Sequence, residues 1–310
     1  MDPSLNAEAR RAPLLLLVSA LSFGIMAFLS KLATARYDGA ALAVVRFAIG
    51  LVVVLGLQGA GVIRLTPKRH VLLVARGLLG GIAVLLWYLS MEHLGAGLAT
   101  LLNYTSPLFT LVIARLWLNE QLTRRALFAL LVACFGVVLV VDGQAGLGLF
   151  VEPPPGRPEI SVTWVLIALG SAVLSGAAVT AIRALRSAEP PETPWNIFVY
   201  FCAFGMLCGG AAAERWSEPT TNDVVLFLAI GVTAIVGQLA MNQALRHVAA
   251  AIHGVTAQLG VLVAGGLGWI FLGESWRPSS LVGGALTLIA AVLATSAAQP
   301  APRPSARGAP

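Results

Sequence analysis

Apolar segments about 20 residues long recur along this chain, and they constrain its fold more than any other feature. A helix needs about 20 residues to cross the hydrocarbon core of a bilayer, which is about 30 Å thick. Of the 310 residues, 58% are hydrophobic and only 11% are charged, whereas soluble domains contain about 25% charged residues. The sequence therefore predicts an all-α integral membrane protein.

Charged residues, glycines and prolines divide the chain into ten such segments, each of which we predict to be a transmembrane helix. Their approximate ranges are 13–32, 39–58, 70–90, 94–118, 124–142, 161–182, 194–213, 222–244, 248–272 and 278–297. The first segment is longer than the apolar core of a signal peptide, so we expect it to be retained as a helix.

A proline-rich connector divides the ten predicted helices into two halves. The predicted organisation is a cytoplasmic N-terminal segment at 1–12, a first five-helix repeat at 13–142, an external loop at 143–160, a second five-helix repeat at 161–297 and a disordered cytoplasmic tail at 298–310. Prolines prevent the loop from continuing as a helix. The composition of the tail is typical of disorder.

The distribution of lysine and arginine predicts the orientation of the chain. With the N-terminus inside, the inner segments carry Arg10, Arg11, Arg64, Lys68, Arg69, Arg124, Arg125, Arg183, Arg186, Arg246, Arg303 and Arg307, and the outer ones carry only Lys31, Arg36, Arg157, Arg215 and Arg277. Positive charges concentrate in cytoplasmic connectors. We therefore expect a multi-pass protein of the inner cell membrane with both termini in the cytoplasm.

The two halves resemble each other in sequence. The segment from His93 to Glu120 and the segment from His247 to Glu274 have the same length, begin at histidine and end at glutamate. Because each half contains five predicted helices, an odd number, the second half would cross the membrane in the opposite direction. Inverted repeats of this kind are typical of secondary transporters.

The "VVRFAIG" stretch at 44–50, the two five-helix halves and the run through Pro107 to Glu120 resemble the EamA family of the drug/metabolite transporter superfamily. The resemblance implies an exporter or carrier of small organic metabolites, such as amino acids or drug-like compounds. It also implies alternating access around a central, midplane cavity. The second half departs from the first at Val261 and Phe201, which align with Pro107 and Arg46.

Polar side chains inside transmembrane helices are costly and are candidates for function. The predicted substrate-binding residues are Arg46, Trp87, Tyr88, Asn103, Tyr104, Gln238, Asn242 and Gln258. Pro107 is expected to kink the fourth helix. Tyr104 and Gln258 align in the repeat and are predicted to face each other across the cavity.

Several of these residues have structural alternatives. Arg46 can bind a substrate carboxylate or extend to the outer interface, and Arg76 and Arg115 are expected to extend to the cytoplasmic interface. The aromatic residues can anchor the protein at the interface, and the amides can pair with neighbouring helices. His253, Glu120 and Glu274 are candidates for coupling or gating, and the two glutamates can instead form structural ion pairs with Arg124 and Arg277 close by in sequence.

The expected partners are a small-molecule substrate and the lipid bilayer, with the protein a monomer or weak homodimer. The basic residues are dispersed, so no nucleic acid is expected. Cys134, Cys202 and Cys208 have no CxxC spacing, and neither a metal nor a cofactor is expected. Two other functions remain open: an integral-membrane enzyme, although HExxH, GxSxG and acidic clusters are missing from the sequence, and a membrane receptor or scaffold, which would not require a repeat.

Overall fold

The computed structural model describes residues 3–34, 36–94, 96–120, 123–145, 149, 161–213, 218–273 and 277–296. All regular secondary structure in these residues is helical. The helices are α1 (Pro3–Ala33), α2 (Gly39–Gly59), α3 (His70–Leu94), α4 (Ala96–Asn103), α5 (Ser106–Leu118), α6 (Arg124–Ala145), α7 (Val162–Ser187), α8 (Pro194–Gly210), α9 (Thr221–Ala244), α10 (Ala250–Ala257), α11 (Leu259–Leu272) and α12 (Pro278–Ser296).

Eight segments of the described chain are long and apolar enough to cross a membrane. Two of them consist of consecutive helices, α4 with α5 and α10 with α11. Two further apolar helices, Pro194–Gly210 and Pro278–Leu293, are shorter. Large apolar side chains on many of these helices face outward, as a lipid environment requires. The prediction of an all-α integral membrane protein is therefore confirmed.

The first helix begins well before the predicted boundary near residue 13. Helix α1 starts at Pro3 and continues through Pro13 to Ala33. The stretch from Leu5 to Arg11 is rich in alanine, glutamate and arginine, which have high helix propensity. This polar extension follows helix propensity, whereas the sequence prediction relied on hydrophobicity alone.

Two spans are interrupted near their middle. Between α4 and α5, the amide of Thr105 donates to the carbonyl of Leu102 at 3.1 Å. Between α10 and α11, the amide of Gln258 donates to the carbonyl of Val255 at 3.3 Å. Both bonds join residues three apart, as in a 3₁₀ turn, which is tighter than an α-helix. The second interruption contains no proline, so Pro107 is not what the two breaks have in common.

Pro107 lies at the start of α5, where helices tolerate proline best. The first residues of a helix have no intrahelical acceptor for their amide groups, so the missing N–H of proline costs little there. The ring of Pro107 would contact a Cβ added at Gly254 of α10, at 2.7 Å. The proline therefore begins a new helix and presents its ring to the other broken span.

The packing of the helices follows a pattern that exchanges the two halves. Helix α1 packs on α9 and on α11, and in the other half α7 packs on α3 and on α5. Helices α2 and α8 pack on each other, as do α6 and α12. Swapping the two halves exchanges the α1–α9 pair with the α7–α3 pair and the α1–α11 pair with the α7–α5 pair. The α2–α8 and α6–α12 pairs each remain unchanged by the swap.

The contact between α6 and α12 depends on two glycines. A Cβ added at Gly136 would lie 2.5 Å from Oγ1 of Thr287 and 2.6 Å from the carbonyl oxygen of Gly283. Small residues at such positions let helix backbones approach closely, which is a main source of helix association in lipid.

We predict that Gly136→Ala destabilises the protein by about 1–3 kcal/mol, because the added methyl group must push backbone atoms apart. The matched control is Gly56→Ala in α2, where an added Cβ meets no atom within 4 Å. That variant should be as stable as the parent or slightly more stable. Thermal unfolding of both purified variants in detergent tests this, and equal melting temperatures would contradict it.

Candidate functional site

A buried ion pair joins the ends of helices from both halves. Nε of Arg183 on α7 donates to Oε1 of Glu120 at 2.7 Å, and the two side chains are 3% and 10% exposed. Nη1 of Arg183 also donates to the carbonyls of Leu245 and Arg246, just beyond the end of α9. Glu120 accepts a further bond from the amide of Ala250, the first residue of α10. Helix N-termini attract negative charge, so this carboxylate is held by the start of α10 and by Arg183 on α7.

The ion pair lies at the same end of the bundle as the contact between α5 and α10. Glu120 is the second residue after the end of α5. The residue before it, Asn119, adopts a left-handed conformation with φ of 53°. The expected ion pair with Arg124 is replaced by one with Arg183, 63 residues later in the chain. Glu274 lies outside the described residues, and its predicted gating role stays a prediction.

The residues of the broken spans make polar contacts across helices. Nδ2 of Asn103 donates to Oγ of Ser171 on α7 at 2.8 Å, and that hydroxyl donates to the carbonyl of Ala83 on α3 at 2.8 Å. Asn103 therefore links three helices. The hydroxyl of Tyr104 lies near Gly260 of α11, 3.4 Å from the position of an added Cβ.

Gln258 is fully buried at the second break. Its Nε2 lies 3.4 Å from Sγ of Cys134 on α6, and its Oε1 has no hydrogen-bond partner in the described part of the chain. A buried amide oxygen without a partner is costly. Nδ1 of His253, one turn earlier in α10, is also buried and unpartnered.

The two amides predicted on the eighth span lie on α9 and bond to each other. Nε2 of Gln238 donates to Oδ1 of Asn242 at 3.4 Å, and Nδ2 of Asn242 donates to the carbonyl of Pro194 at 3.2 Å. Both side chains are buried. This arrangement attaches α9 to the first residue of α8, as the helix-pairing alternative for these amides requires.

Two buried arginines share one aromatic ring. The guanidinium carbon of Arg46 on α2 lies 5.7 Å from the ring centre of Phe201 on α8, and that of Arg76 on α3 lies 4.2 Å from it. The arginines are 7% and 3% exposed. Arg76 therefore does not extend to the interface, contrary to expectation, whereas Arg115 is exposed.

Trp87 and Tyr88, the other aromatic residues predicted to bind substrate, adjoin the arginine cluster. Tyr88 packs against Gly39 at the start of α2 and interacts electrostatically with Arg46. The rings of Trp87 and Tyr88 lie 4.9 Å apart. Tyr88 is 1% exposed, which places it inside the protein, away from the interface where aromatic residues act as anchors.

Glycine at position 80 explains why Arg76 can stay inside. A Cβ at Gly80, one turn after Arg76, would overlap Nη1 of the arginine. The guanidinium thus lies against its own helix, in the space that the side chain of any other residue at position 80 would fill. Sequence reasoning placed Arg76 by its distance from the helix end and missed this arginine-to-glycine spacing, the signal that points to a buried side chain.

The charges of Arg46 and Arg76 are not balanced by the described part of the chain. Neither arginine forms an ion pair with an acidic side chain of the described residues, whereas Arg36 pairs with Asp223 and Arg183 pairs with Glu120. Burying one ion costs several kcal/mol, whereas a cation–π contact contributes about 0.5–2 kcal/mol. Arginine does not escape this cost by losing its proton. The aromatic contacts therefore do not offset the burial of two like charges.

The structure thus divides the predicted site residues into three groups. Arg46 and Arg76 lie at Phe201, with Tyr88 beside Arg46 and Trp87 against Tyr88. Asn103, Tyr104 and Gln258 lie at the two breaks, and Gln238 with Asn242 joins α9 to α8. Among the residues described, no group of three or more His, Cys, Asp or Glu side chains could hold a metal ion.

A multi-pass helical membrane protein with polar residues at two broken spans is the class that these features define. The profile of the EamA-like transporter family matches residues 10–142 and again residues 162–296. The chain belongs to this family, so the predicted resemblance is confirmed.

Individual relatives are also transporters. The pseudopaline exporter CntI of Pseudomonas aeruginosa strain UCBPP-PA14 is 28% identical over 283 residues, which cover 90% of this chain and 94% of that protein. Human solute carrier family 35 member G1 is 25% identical over 186 residues, which cover 58% of this chain and 50% of that protein. A protein of known crystal structure superposes with a TM-score of 0.77 at 16% identity, over 93% of this chain and 97% of that chain, and supports the fold alone.

We predict that Glu120→Gln destabilises the protein by about 3–5 kcal/mol, because it leaves the charge of Arg183 buried without its carboxylate. The control is Arg36→Gln, which removes an ion pair whose arginine is 47% exposed and should cost at most about 1 kcal/mol. Thermal unfolding in detergent measures both. The double variant Glu120→Gln/Arg183→Gln should cost less than the sum of its single variants, and strict additivity would contradict a direct pair.

Proposed function

We propose that this protein is a secondary transporter of the inner membrane that exports small organic metabolites, such as amino acids or drug-like compounds. It would act by alternating access around a midplane cavity between two inverted five-helix repeats, residues 13–142 and 161–297. The observation that carries the proposal is the pair of broken spans, α4–α5 and α10–α11, with polar side chains that are half-buried at the first break and buried at the second. Discontinuous helices of this kind form the binding sites of many secondary transporters.

Three observations support ten spans in two inverted repeats. The family profile matches each half separately. The principal helix pairs are exchanged when the halves are swapped. The helices α8 and α12, although short, occupy the places of the seventh and tenth predicted spans. With five spans in each half, the two halves would run in opposite directions through the bilayer.

The packing of the broken spans differs between the two ends of the bundle. Helix α5 packs on α10, and this end also contains the Glu120–Arg183 pair. Helix α4 instead packs on α3, α6 and α7, and α11 packs on α1 and α12. The positive charges on the connectors support a cytoplasmic position for the first end and for both chain termini. In this proposal the α5–α10 contact closes the protein toward the cytoplasm.

This arrangement suggests a role for each group of site residues. Asn103, Tyr104 and Gln258 would contact the solute where the spans are broken, and Gln238 and Asn242 would border the cavity. Glu120 would hold the cytoplasmic side closed. His253, next to the contact between Pro107 and Gly254, would take part in coupling or gating.

The proposed direction is export, because the relative that matches over 90% of this chain is named an exporter. Purified protein in liposomes provides the test. Labelled amino acids, organic acids, hydrophobic drugs and pseudopaline would be assayed for uptake and efflux, with and without a pH gradient. Alternating access predicts counterflow: unlabelled solute inside the liposomes should accelerate entry of the labelled solute. Failure of every solute to cross under all conditions would overturn the proposal.

We predict that Gln258→Leu reduces transport at least about tenfold, because the site loses a buried amide whose oxygen would accept a hydrogen bond from the solute. The matched control is Gln58→Leu, the same substitution at an exposed position near the end of α2, which should transport normally. Melting temperatures and expression levels would exclude misfolding. Equal transport by the two variants would remove Gln258 from the site.

A further inference from the structure

We propose that Arg46 and Arg76 bind an oxyanion of the transported solute, so that the substrates are organic acids carrying at least one free carboxylate. The inference rests on the proposed transport function and specifies its substrate class. The observation that carries it is a pair of buried cations that share Phe201 and have no acidic partner among the described residues.

The two guanidinium groups come from consecutive helices of the chain. Arg46 is the eighth residue of α2, and Arg76 is the seventh residue of α3. Each lies about 10 Å along its helix from the start, given a rise of about 1.5 Å per residue. The two charges are close enough to interact electrostatically. They converge on Phe201, whose ring also packs edge-on against Phe47, with ring centres 4.9 Å apart.

Hydrogen-bond donors in this cluster are buried without acceptors. Nε and Nη1 of Arg76 and Nε1 of Trp87 have no partner among the described residues. A protein interior rarely leaves such groups unpaired. All three groups can only donate. A carboxylate only accepts, and its two oxygens match the parallel N–H groups of a guanidinium.

Aromatic rings next to the two arginines would contact the apolar part of an organic acid. Tyr88 lies beside Arg46 with Trp87 against it, and Phe47 and Phe201 provide two further rings. Gly77 and Gly80 let the side chains of Phe204 and Arg76 pack directly against α3. Aromatic and apolar walls with a few oriented charges are the usual composition of a small-molecule site.

The binding test uses the full-length protein in detergent and compares it with Arg46→Gln, Arg76→Gln and Arg115→Gln. Arg115 is exposed on α5 and is the matched control. The probes are sodium succinate, glutamate, citrate and phosphate, with succinamide as the uncharged analogue and sodium chloride to equalise ionic strength. Thermal shift and equilibrium titration measure binding.

We expect at least one of the three carboxylates to raise the melting temperature of the parent and of Arg115→Gln, with no effect of succinamide. Its apparent Kd should rise at least about tenfold in Arg46→Gln and in Arg76→Gln. Stabilisation by phosphate alone would assign the pair to phosphorylated solutes and overturn the carboxylate assignment. Equal binding by all four proteins, or no shift with any anion, would overturn the site itself.

A second measurement separates a binding site from a structural role. If the charges await a ligand, Arg76→Met should melt at a higher temperature than the parent without ligand, because it removes an uncompensated cation. Arg115→Met should melt at the same temperature as the parent. A lower melting temperature for Arg76→Met would indicate that the arginine holds the fold together and would contradict the inference.

Transport distinguishes failure of this inference from failure of the proposed function. Counterflow of a neutral or cationic solute, with none for any organic acid, would preserve the transporter and overturn the anion site. Binding of an organic acid that depends on both arginines, without movement of any solute, would preserve the site and overturn transport. Counterflow of an organic acid that is lost in Arg46→Gln and Arg76→Gln would support both.

Discussion

The absence of water from the bilayer interior is the constraint on which this structure depends. Each polar group within the hydrocarbon layer must find a partner in the protein, and a broken helix removes partners from its own backbone. At the first break the hydroxyl of Thr105 donates to the carbonyl of Leu102 at 2.6 Å, and near the second the hydroxyl of Thr256 donates to the carbonyls of Ile252 and His253. These local bonds satisfy carbonyl groups at the two interruptions, which place polar side chains within the spans.

Two arginines of this chain show how differently that constraint can be met. Arg183 has a carboxylate and two carbonyls as acceptors, so its charge is fully paired at the closed end of the bundle. Arg76 is equally buried but rests on the face of Phe201, with two of its nitrogens unpartnered. The first arrangement contributes to stability, and the second lowers it. A protein tolerates the second kind of site where a ligand completes it, as functional sites commonly trade stability for binding.

The sequence was sufficient for the features that depend on local composition. Segment length and low charge predicted the helices, and the polar run at 103–106 marked a break. Contacts between residues far apart in the chain could not be predicted from the sequence. Glu120 pairs with Arg183 because two helices from different halves meet, and not with Arg124, which follows it closely in the chain. The break at Gln258 lacks the proline that signals the first one. Arg76 was misplaced because the room for its side chain comes from Gly80 and from a ring on another helix.

Phe201 aligns with Arg46 in the repeat, and the structure brings these two residues into contact. A chain made of two identical copies of the first half would therefore set an arginine against an arginine on its symmetry axis. With phenylalanine at position 201, the repulsion between two arginines is replaced by the attraction between the Arg46 guanidinium and the Phe201 ring. At this contact the two halves are complementary, because each supplies a side chain that the other lacks there.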